Sequence, residues 1–491
     1  MFNLFKPKEK NQETIAKLPL MLTNTKSGKL ETFKPINEDC VSIYSCGPTV
    51  YDIPHIGNLR AYVFVDTLIR TLHYNGYNTN HTVNFTDFGH LTDDGDDGDD
   101  KMMKALRRED MDISLESMRM LSDRYIKAFM DDMESLNILP PSQYARASDY
   151  IDEQIELISS LEDSGYTYVI DDGVYFDVSK YKEYGTLGNL NLAGQKAGAR
   201  IASNPQKKDP HDFCLWKFGD IGWESKWGKG CPGWHIECSA MAFATLGTEL
   251  DIHTGGVDHI TVHHNNEIAQ SECASGKTFA RYWLHNEHLT MEGEKISKSS
   301  GQALTLNDLY QKGYTADVYR YWLLTAHYRT RVQYSDTALS NALNAVNKLK
   351  RLMFETWPTD QGTCETKYVE KFHQAINNDL DTPSAVAVLW EVARDPDIKD
   401  TDKRALVLHF DQILGLGLDI DPEKGRSALG YLSPADVPED VTLLIEERQV
   451  ARIAQNWTEA DRIRDAITAR GYQLEDTPEG ARVSLSELDK V

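Results

Sequence analysis

The sequence predicts an α/β protein in which a parallel-sheet domain is interrupted by an insertion and followed by a helical bundle and a small C-terminal domain. Residues 41–46 form a short apolar run, and residues 58–77 then place apolar residues at helical spacing. This strand–loop–helix order opens a parallel sheet. Residues 166–178 alternate around an Asp-Gly turn, which is typical of a hairpin within an insertion. Beyond Gly301 apolar residues recur mainly at helical spacing.

The composition is that of an ordinary globular protein, and it limits the possible partners. The chain of 491 residues is long enough for about three domains. No run of about 18 apolar residues occurs, so we expect no membrane contact. Seven scattered cysteines and a start without a secretory pattern predict a cytoplasmic protein. The net charge of 52 − 76 = −24 argues against nonspecific polyanion binding, so a nucleic acid would need local basic surfaces.

The loop after the first strand carries a histidine that is placed to bind phosphate. The loop CGPTVYDIPHIGN is broken by prolines and a glycine, and the helix that follows stops near Gly76. His55 lies just before the helix N-terminus, where backbone N–H groups and the helix dipole attract phosphate. A histidine that only caps the helix is the alternative. Residues 80–86 alternate in polarity and predict the next strand.

Residues 93–100, DDGDDGDD, are acidic enough to suggest a calcium-binding loop. The twelfth position counted from each candidate first aspartate holds Lys, Ala or Arg, so the bidentate Glu that such a loop requires is missing. We expect a solvated acidic loop, with cation binding as the alternative. Residues 112–136 and 148–164 then predict amphipathic helices that lead into the hairpin.

A candidate metal site lies between residues 233 and 270. His263 and Glu267 are four residues apart in HHNNEIAQSECA, so a helix would place both side chains on one face. With Cys238 they supply the sulfur, nitrogen and oxygen donors that Zn²⁺ prefers. The alternative is a buried cysteine, a core histidine and a surface glutamate that never meet. Cys46 ends the first strand and is a possible fourth donor.

A second charged loop, residues 291–302, has the sequence MEGEKISKSSGQ. Lys295 and Lys298 lie three residues apart among small polar residues and a glycine. Two ammonium groups on a flexible loop suit the charge of a polyphosphate. A solvated basic turn is the alternative.

These motifs together resemble those of the class I aminoacyl-tRNA synthetases, and within them the cysteinyl-tRNA synthetase family. HIGN stands where the family has His-x-Gly-His, and KISKS where it has KMSKS. The matching segments are HIGN (55–58), KISKS (295–299), CGPTVYD (46–52), DFCLWK (212–217), GWHIECSAM (233–241) and HHNNEIAQS (263–271). The resemblance covers nearly the whole chain and implies a Rossmann-type catalytic domain followed by a helical bundle and an anticodon-binding domain.

The resemblance implies one zinc ion and a pocket for cysteine. The implied zinc ligands are Cys46, Cys238, His263 and Glu267, and the implied pocket residues are Thr86, Trp234 and His235. Serine is nearly isosteric with cysteine, and shape alone discriminates such pairs by only about 1–3 kcal/mol. A metal selects the thiol instead, because a thiol ionises far more readily than an alcohol. Four protein ligands normally close a zinc site, so selection would need a fifth position or a weakly bound Glu267.

The resemblance also implies adenylation of L-cysteine by ATP with Mg²⁺, followed by transfer to the terminal ribose of tRNA(Cys). The implied catalytic residues are His55, Asn58, Lys295 and Lys298. The same residues together with Gly57, Gly255, Gly256 and Asp258 are implied to bind ATP. Asn58 replaces the second signature histidine, and we expect weaker phosphate support there. Arg452, Asp461 and Asp476 fall where the family contacts the anticodon. We expect a monomer.

The expected domains follow the motifs along the chain. They are a catalytic first half (1–135), an insertion (136–228), a catalytic second half with the zinc site (229–300), a stem-contact segment (301–345), a helical bundle (346–430) and an anticodon-binding domain (431–491). Basic residues beside aromatic ones suggest a phosphate-binding surface, with solvated helix faces as the alternative. These basic residues are Arg320, Arg329, Arg331, Lys348, Lys350 and Arg351.

Two other functions share part of this pattern. A cysteine ligase that acts on an amino sugar in thiol biosynthesis shares the zinc pocket and the ATP motifs. It usually lacks the anticodon-side extension, whereas this chain continues well past residue 340. A non-catalytic, zinc-stabilised RNA-binding paralogue would have no need of His55, Lys295 and Lys298.

Overall fold

The computed structural model describes residues 18–88, 101–190, 204–291, 294–295, 303–429, 432, 436–477 and 480–485. The strands are β1 (Met21–Asn24), β2 (Lys29–Thr32), β3 (Val41–Ser45), β4 (Thr79–Phe85), β5 (Gln143–Arg146), β6 (Thr167–Ile170), β7 (Gly173–Phe176), β8 (Phe213–Trp223), β9 (Gly230–Pro232), β10 (Leu250–Gly256), β11 (Ala280–Asn286), β12 (Leu289–Met291), β13 (Glu294–Lys295), β14 (Val332–Tyr334), β15 (Tyr472–Thr477) and β16 (Gly480–Leu485). The α-helices are α1 (Ile56–Tyr74), α2 (Lys101–Arg108), α3 (Leu115–Ser135), α4 (Ile151–Asp163), α5 (Trp234–Leu246), α6 (His263–Ser275), α7 (Leu306–Gln311), α8 (Ala316–Leu324), α9 (Asp336–Arg351), α10 (Thr366–Asn377), α11 (Thr382–Arg394), α12 (Asp400–Leu414), α13 (Pro422–Ala428), α14 (Glu439–Ile453) and α15 (Trp457–Thr468).

A five-stranded parallel sheet with the order β11-β10-β3-β4-β5 forms the centre of the molecule. This confirms the predicted α/β class. The connection from β3 through α1 leads to β4 on one side, and β10 leads through α6 to β11 on the other. The order therefore reverses between β3 and β10. In an open α/β sheet, ligands bind beyond the carboxyl ends of the strands at such a reversal.

The helix α1 is held against the sheet by an apolar face. Its inward residues include Leu59, Val63 and Leu72, and all are almost completely buried. It begins after His55 and ends at Asn75, followed by Gly76 with a positive φ of 87°. Only glycine adopts that conformation without strain, which is why the predicted helix stops there.

The predicted hairpin and the strand at 80–86 are both present. β6 and β7 pair antiparallel from Thr167 with Phe176 to Ile170 with Gly173, and β8 and β9 extend them to a four-stranded sheet. β5 lies in the same stretch of sequence but pairs with β4 in the central sheet. The segment expected to be an insertion thus also contributes one strand to the central sheet.

The part of the chain after residue 303 is mainly helical. The helices α10, α11 and α12 pack against one another, and α12 also packs against α1. The helices α14 and α15 pack together with the hairpin β15–β16. Within the described ranges, no helix has the length and apolar character needed to cross a bilayer.

The expected phosphate-binding role of Arg320 is wrong. This side chain is fully buried, and its guanidinium bonds to the Asp66 carboxylate and to the carbonyl oxygens of Leu414 and Leu136. It joins α8 to α1 and to the end of α12. Arg329 is likewise paired, with Asp379.

Three further members of that basic group form ion pairs. Arg331 pairs with Glu287, Lys350 with Asp317 and Arg351 with Glu475. No continuous row of unpaired cations remains among these residues, because intramolecular acids take up most of the charge.

Candidate active site

Four predicted metal donors meet at the carboxyl edge of the central sheet. Cys46 follows β3, Cys238 lies on the second turn of α5, and His263 and Glu267 lie one turn apart on α6. One ligand atom from each residue lies within 4.8 Å of all the others. Cys238, His263 and Glu267 are buried. The predicted helix at 263–274 is thus confirmed, and the fold supplies the fourth donor.

The donor atoms are close enough to share protons. His263 Nε2 lies 2.9 Å from Glu267 Oε1, and Cys46 Sγ lies 4.0 Å from the same oxygen. A hydrogen bond from Cys46 lowers the pKa of Cys238 to about 6, although burial opposes this. Burial raises the pKa of Cys46. The two thiols therefore share one proton, and the pair carries one negative charge at neutral pH.

His263 and Glu267 form an ion pair. Burial lowers the pKa of His263, but Glu267 and Cys238 outweigh it and raise the pKa to about 10. Burial raises the pKa of Glu267, but His253 and His263 outweigh it and hold the pKa well below its usual range. Two thiols, an imidazole and a carboxylate match the donors of zinc sites in chemical type and number.

A second layer of histidines orients the donors. His235 Nδ1 and His263 Nδ1 are 2.9 Å apart, which turns His263 Nε2 towards Glu267. His253 Nε2 lies 2.8 Å from Glu267 Oε2, which leaves Oε1 on the side of the thiols. Such outer contacts fix the orientation of metal ligands. The sequence pointed to His235 only through the family resemblance and did not point to His253.

A second group of donors overlaps the first. Cys46, His253, His264 and Glu267 also bring one ligand atom each within 4.8 Å of one another. His264 Nε2 lies 3.3 Å from Cys46 Sγ. Because Cys46 and Glu267 belong to both groups, the two groups cannot each bind a metal ion at the same time. The first group has the second sulfur, Cys238, and the thiolate charge that favours a zinc ion.

The expected pocket residues adjoin these donors. The ring of Trp234 stacks on His263 with centres 4.3 Å apart and planes 30° from parallel. Thr86 Oγ1 donates a hydrogen bond of 2.9 Å to Glu237 Oε2, and both groups are buried. The hydroxyl of Thr86 is therefore held in one orientation. Glu237, which the sequence did not indicate, is the residue that holds it.

His55 caps α1 and shares this role with Asn58. The backbone N–H of Asn58 donates to His55 Nδ1 at 3.1 Å, and the Asn58 side-chain oxygen accepts from the His55 N–H at 3.2 Å. Because Nδ1 accepts, the proton of a neutral His55 ring lies on Nε2. The capping alternative and the phosphate-binding expectation are compatible, since the cap orients the ring at the helix N-terminus. The exposed Asn58 keeps its amide N–H₂ group as a donor.

The glycines at the end of β10 allow a close approach of buried rings. A side chain at Gly255 would come within 2.6 Å of His264, and one at Gly256 within 2.4 Å of Asp258. Gly57 lies in the first turn of α1. β10 ends at Gly256 and pairs with β3, so Gly255, Gly256 and Asp258, two residues further on, lie at the carboxyl edge near the β3–β10 reversal.

Several expected residues fall partly or wholly outside the described residues. The backbone of Lys295 belongs to β13, which pairs antiparallel with β12. Its side chain, Lys298 and the acidic segment 93–100 lie outside the described part of the chain.

The expected anticodon residues lie in the C-terminal domain. Asp476 accepts two hydrogen bonds from Arg448, at 2.6 and 2.8 Å, and pairs with Arg452 as well. These contacts lower the pKa of Asp476 to about 2. Asp461 contributes to the electrostatic environment of Arg448. The three expected residues thus belong to one charged cluster, with Arg448 as a member that the sequence did not indicate.

Comparisons with known proteins agree with this geometry. Residues 32–344 match the family model described as tRNA synthetases class I (C) catalytic domain. The chain is 46% identical over 473 residues to Cysteine--tRNA ligase 1 of Burkholderia lata, covering 95% of this chain and 97% of that protein. It is 41% identical to Cysteine--tRNA ligase of Treponema denticola, covering 94% and 98%. It is 42% identical to the protein of that name from Chlamydia muridarum, covering 95% and 99%.

A solved structure shows the same fold. Mycobacterium tuberculosis methionyl-tRNA synthetase in complex with methionyl-adenylate superposes with a TM-score of 0.53 and 15% identity, covering 81% of this chain and 95% of that one. At this level of identity the likeness concerns the fold alone.

Proposed function

The chain belongs to the cysteine–tRNA ligase family of class I tRNA synthetases, and on this premise we propose that it activates L-cysteine with ATP and transfers it to tRNA(Cys). The assignment of cysteine as the amino acid rests on one observation: the side chains of Cys46, Cys238, His263 and Glu267 lie close together beside Trp234. A pocket of this composition favours a sulfur-containing substrate over a hydroxyl-containing one.

We propose that these four donors hold one zinc ion. When bound, zinc supplies a soft Lewis acid that prefers thiolate to hydroxyl ligands. His235 and His253 orient the donors from behind, and Trp234 forms one wall of the pocket. Thr86, held by Glu237, presents a polar group of fixed direction to the substrate.

We propose that the nucleotide occupies the carboxyl edge between β3 and β10. The positive end of the α1 dipole lies there, and His55 Nε2 and the Asn58 side-chain amide donate to phosphate oxygens. Lys295 and Lys298 neutralise the pyrophosphate as it leaves. Gly57, Gly255, Gly256 and Asp258 form the nucleoside end, with Asp258 as the partner of ribose hydroxyls. Mg²⁺ accompanies ATP.

In the first step an oxygen of the cysteine carboxylate attacks the α-phosphorus of ATP, and the bond to the bridging oxygen of the departing pyrophosphate breaks. In the second step the terminal ribose hydroxyl of tRNA attacks the activated carbonyl and AMP leaves. The protein contributes mainly alignment and charge neutralisation to the first step.

We propose that Arg452, Asp461 and Asp476 contact the anticodon. The contacts of Asp476 with Arg448 and Arg452, and the electrostatic influence of Asp461 on Arg448, support this. Polar groups of this kind bind the exposed edges of unstacked bases. We also propose that the protein acts as a monomer in the cytoplasm. None of its seven cysteines forms a disulfide, which fits a reducing compartment.

Cysteine-dependent exchange of pyrophosphate into ATP tests the first step. We expect exchange with cysteine and far less with serine, together with one zinc per chain by elemental analysis. Absence of exchange in zinc-loaded protein would identify a binding protein instead. Adding tRNA(Cys) or glucosaminyl-inositol to the cysteine reaction then tells the tRNA ligase from the amino-sugar ligase, because only the correct acceptor becomes cysteinylated.

A further inference from the structure

Arg60 lies in the second turn of α1, two residues after the HIGN segment, and its side chain is buried at 4% exposure. Its guanidinium lies at the start of β12 and the loop before β14. Its hydrogen-bond acceptors in the described structure are backbone carbonyl oxygens, and no carboxylate lies among them.

The two ends of the guanidinium bind two different segments. Nη1 donates to the carbonyl of His288 at 2.6 Å. Nη2 donates to the carbonyls of Tyr328 at 3.2 Å and Thr330 at 2.5 Å. His288 immediately precedes β12, and its carbonyl also accepts from the N–H of Val332, the first residue of β14. Arg60 thus fastens α1 to the point where β12 and β14 begin.

The strand β12 carries this connection to the KISKS segment. Thr290 pairs with Lys295 and Met291 with Glu294, so β12 holds the short strand β13 from which KISKS continues. Two hydrogen-bonded links therefore connect Arg60 to the backbone of Lys295: the Arg60–His288 bond and the β12–β13 pairing.

The other end of the same segment is also attached to α1. The N–H of Ile56, the first residue of α1, donates to the carbonyl of Leu304 at 2.7 Å. His55 and Thr305 form an isolated antiparallel bridge. The hydroxyl of Tyr319 donates to the carbonyl of Ile56 from the opposite side. Both flanks of the KISKS segment are therefore attached to the first two turns of α1, which carry HIGN.

Replacing Arg60 should be unfavourable because no other side chain makes the same set of hydrogen bonds. A buried guanidinium is stable only when its N–H groups find acceptors, and here carbonyls of two segments supply them. Its planar fork reaches both segments at once, whereas a lysine ammonium acts as a single point donor on a flexible stem.

We propose that Arg60 is a positioning residue that holds β12, and with it the β13 backbone at Lys295, against the helix that carries HIGN, so that the KISKS lysines and His55 act on the same triphosphate. This inference rests on the proposed function for its catalytic consequence. Its structural half, the attachment of β12 to α1, does not depend on that function.

The test compares Arg60→Lys with Arg70→Lys in the full-length, zinc-loaded protein. Arg70 lies on the same helix and also donates to backbone carbonyls, those of Asn137 and Gln412, but far from both signature segments. We expect Arg60→Lys to lower kcat of cysteine-dependent exchange by about a hundredfold, because small misplacements of catalytic groups have effects of this size. The KM for cysteine should stay within about twofold, because the metal donors are untouched. Arg70→Lys should leave kcat near the wild-type value.

Amide hydrogen exchange provides a readout that does not require activity. In Arg60→Lys, the amides of Leu289–Met291 and Val332 should exchange faster than in the wild type and in Arg70→Lys. Unchanged protection of these amides, an equal loss of kcat in both variants, or an effect confined to KM for cysteine would overturn the proposal. If the wild type itself shows no pyrophosphate exchange, the proposed function fails, and the amide measurement still decides the attachment.

Discussion

Replacing Cys238 or His264 distinguishes the two overlapping donor groups, because each residue belongs to only one of them. The first group contains Cys238, and the second contains His264 and His253. Zinc binding to a four-donor protein site is worth roughly 10–16 kcal/mol, so an equal share for one donor is about 2.5–4 kcal/mol. If the first group holds the ion, Cys238→Ser should weaken zinc binding by about 60- to 700-fold at roughly 1.4 kcal/mol per tenfold.

His264→Phe should have a much smaller effect in that case. His264 Nε2 is 3.3 Å from Cys46 Sγ and its Nδ1 is 2.8 Å from His285, so it contributes packing and orientation. His253→Phe removes the 2.8 Å contact to Glu267 and should cost about 10–100-fold, the usual effect of an outer-shell contact. The expected order of loss is therefore Cys238→Ser, then His253→Phe, then His264→Phe.

Competition with a chromophoric chelator at neutral pH measures the three affinities. Thermal unfolding of each metal-free variant identifies any that lose zinc only because they unfold. If His264→Phe loses more affinity than Cys238→Ser in folded protein, the second group holds the ion, and the assignment of Cys238 and His263 as ligands is wrong.

Three stability predictions concern residues away from the metal. Burial raises the pKa of Asp132 to about 6, whereas an unfolded aspartate titrates at about pH 4. The contribution of the protonated group to stability is therefore complete below about pH 4 and is lost as the pH rises through 6. Asp132→Asn should stabilise the protein at pH 8, by no more than about 3 kcal/mol, and should give no gain at pH 4 in urea unfolding. Asp66→Asn leaves Arg320 buried without its charged partner and should lower the free energy of unfolding by about 3–5 kcal/mol. Adding Arg320→Met in a double-mutant cycle should recover part of this loss. Strict additivity of the two substitutions would show that the pair is not coupled. Asp379 accepts hydrogen bonds from the N–H and the hydroxyl of Thr23, and its φ is 58°. Asp379→Ala should therefore lower the urea midpoint more than Asp379→Asn, because Asn keeps an acceptor oxygen and tolerates this φ. Equal midpoints for the two variants would refute this.

The sequence contained enough information to locate most of the candidate metal site. The four-residue spacing of His263 and Glu267 places both on one face of α6, and the fold brings Cys238 to that face from α5. Local periodicity is sufficient for the first relation, because both residues share a helix. The sequence named Cys46 as a possible fourth donor, but only the family resemblance gave it that role, since nothing near it in the sequence indicates that β3 ends beside α6.

The residues that orient the donors were missed for the same physical reason. His253 lies within a buried strand and contacts Glu267 fourteen residues later, after a turn and part of a helix. Glu237 lies between two motif residues, yet its partner Thr86 is 151 residues away in the chain. Neither contact has a local pattern, because strand order and not spacing brings the partners together.

The error at Arg320 has a related cause. Its neighbours in ADVYRYWLL include aromatic residues, which accompany arginines at nucleic-acid surfaces and in buried interfaces alike. The position of Asp66, which lies 254 residues earlier in the chain, decides between the two. The buried carboxylate of Asp66, which also accepts a hydrogen bond of 2.7 Å from Arg70, compensates for burial of the Arg320 guanidinium. No residue near Arg320 in the sequence indicates that this carboxylate is its partner.

The histidines around the donors explain how a pocket so rich in imidazole can still attract a cation. Burial, followed by repulsion from neighbouring histidines, holds the pKa values of His235 and His264 well below the usual range. Burial lowers the pKa of His259 to about 4. These rings are therefore neutral at physiological pH, and His235 and His264 orient His263 and Cys46 through hydrogen bonds without adding positive charge. Protonated His263 offsets one of the two negative charges of Cys238 and Glu267, so the donor group keeps a net negative charge that favours a dication, and the outer histidines set the direction of the ligands.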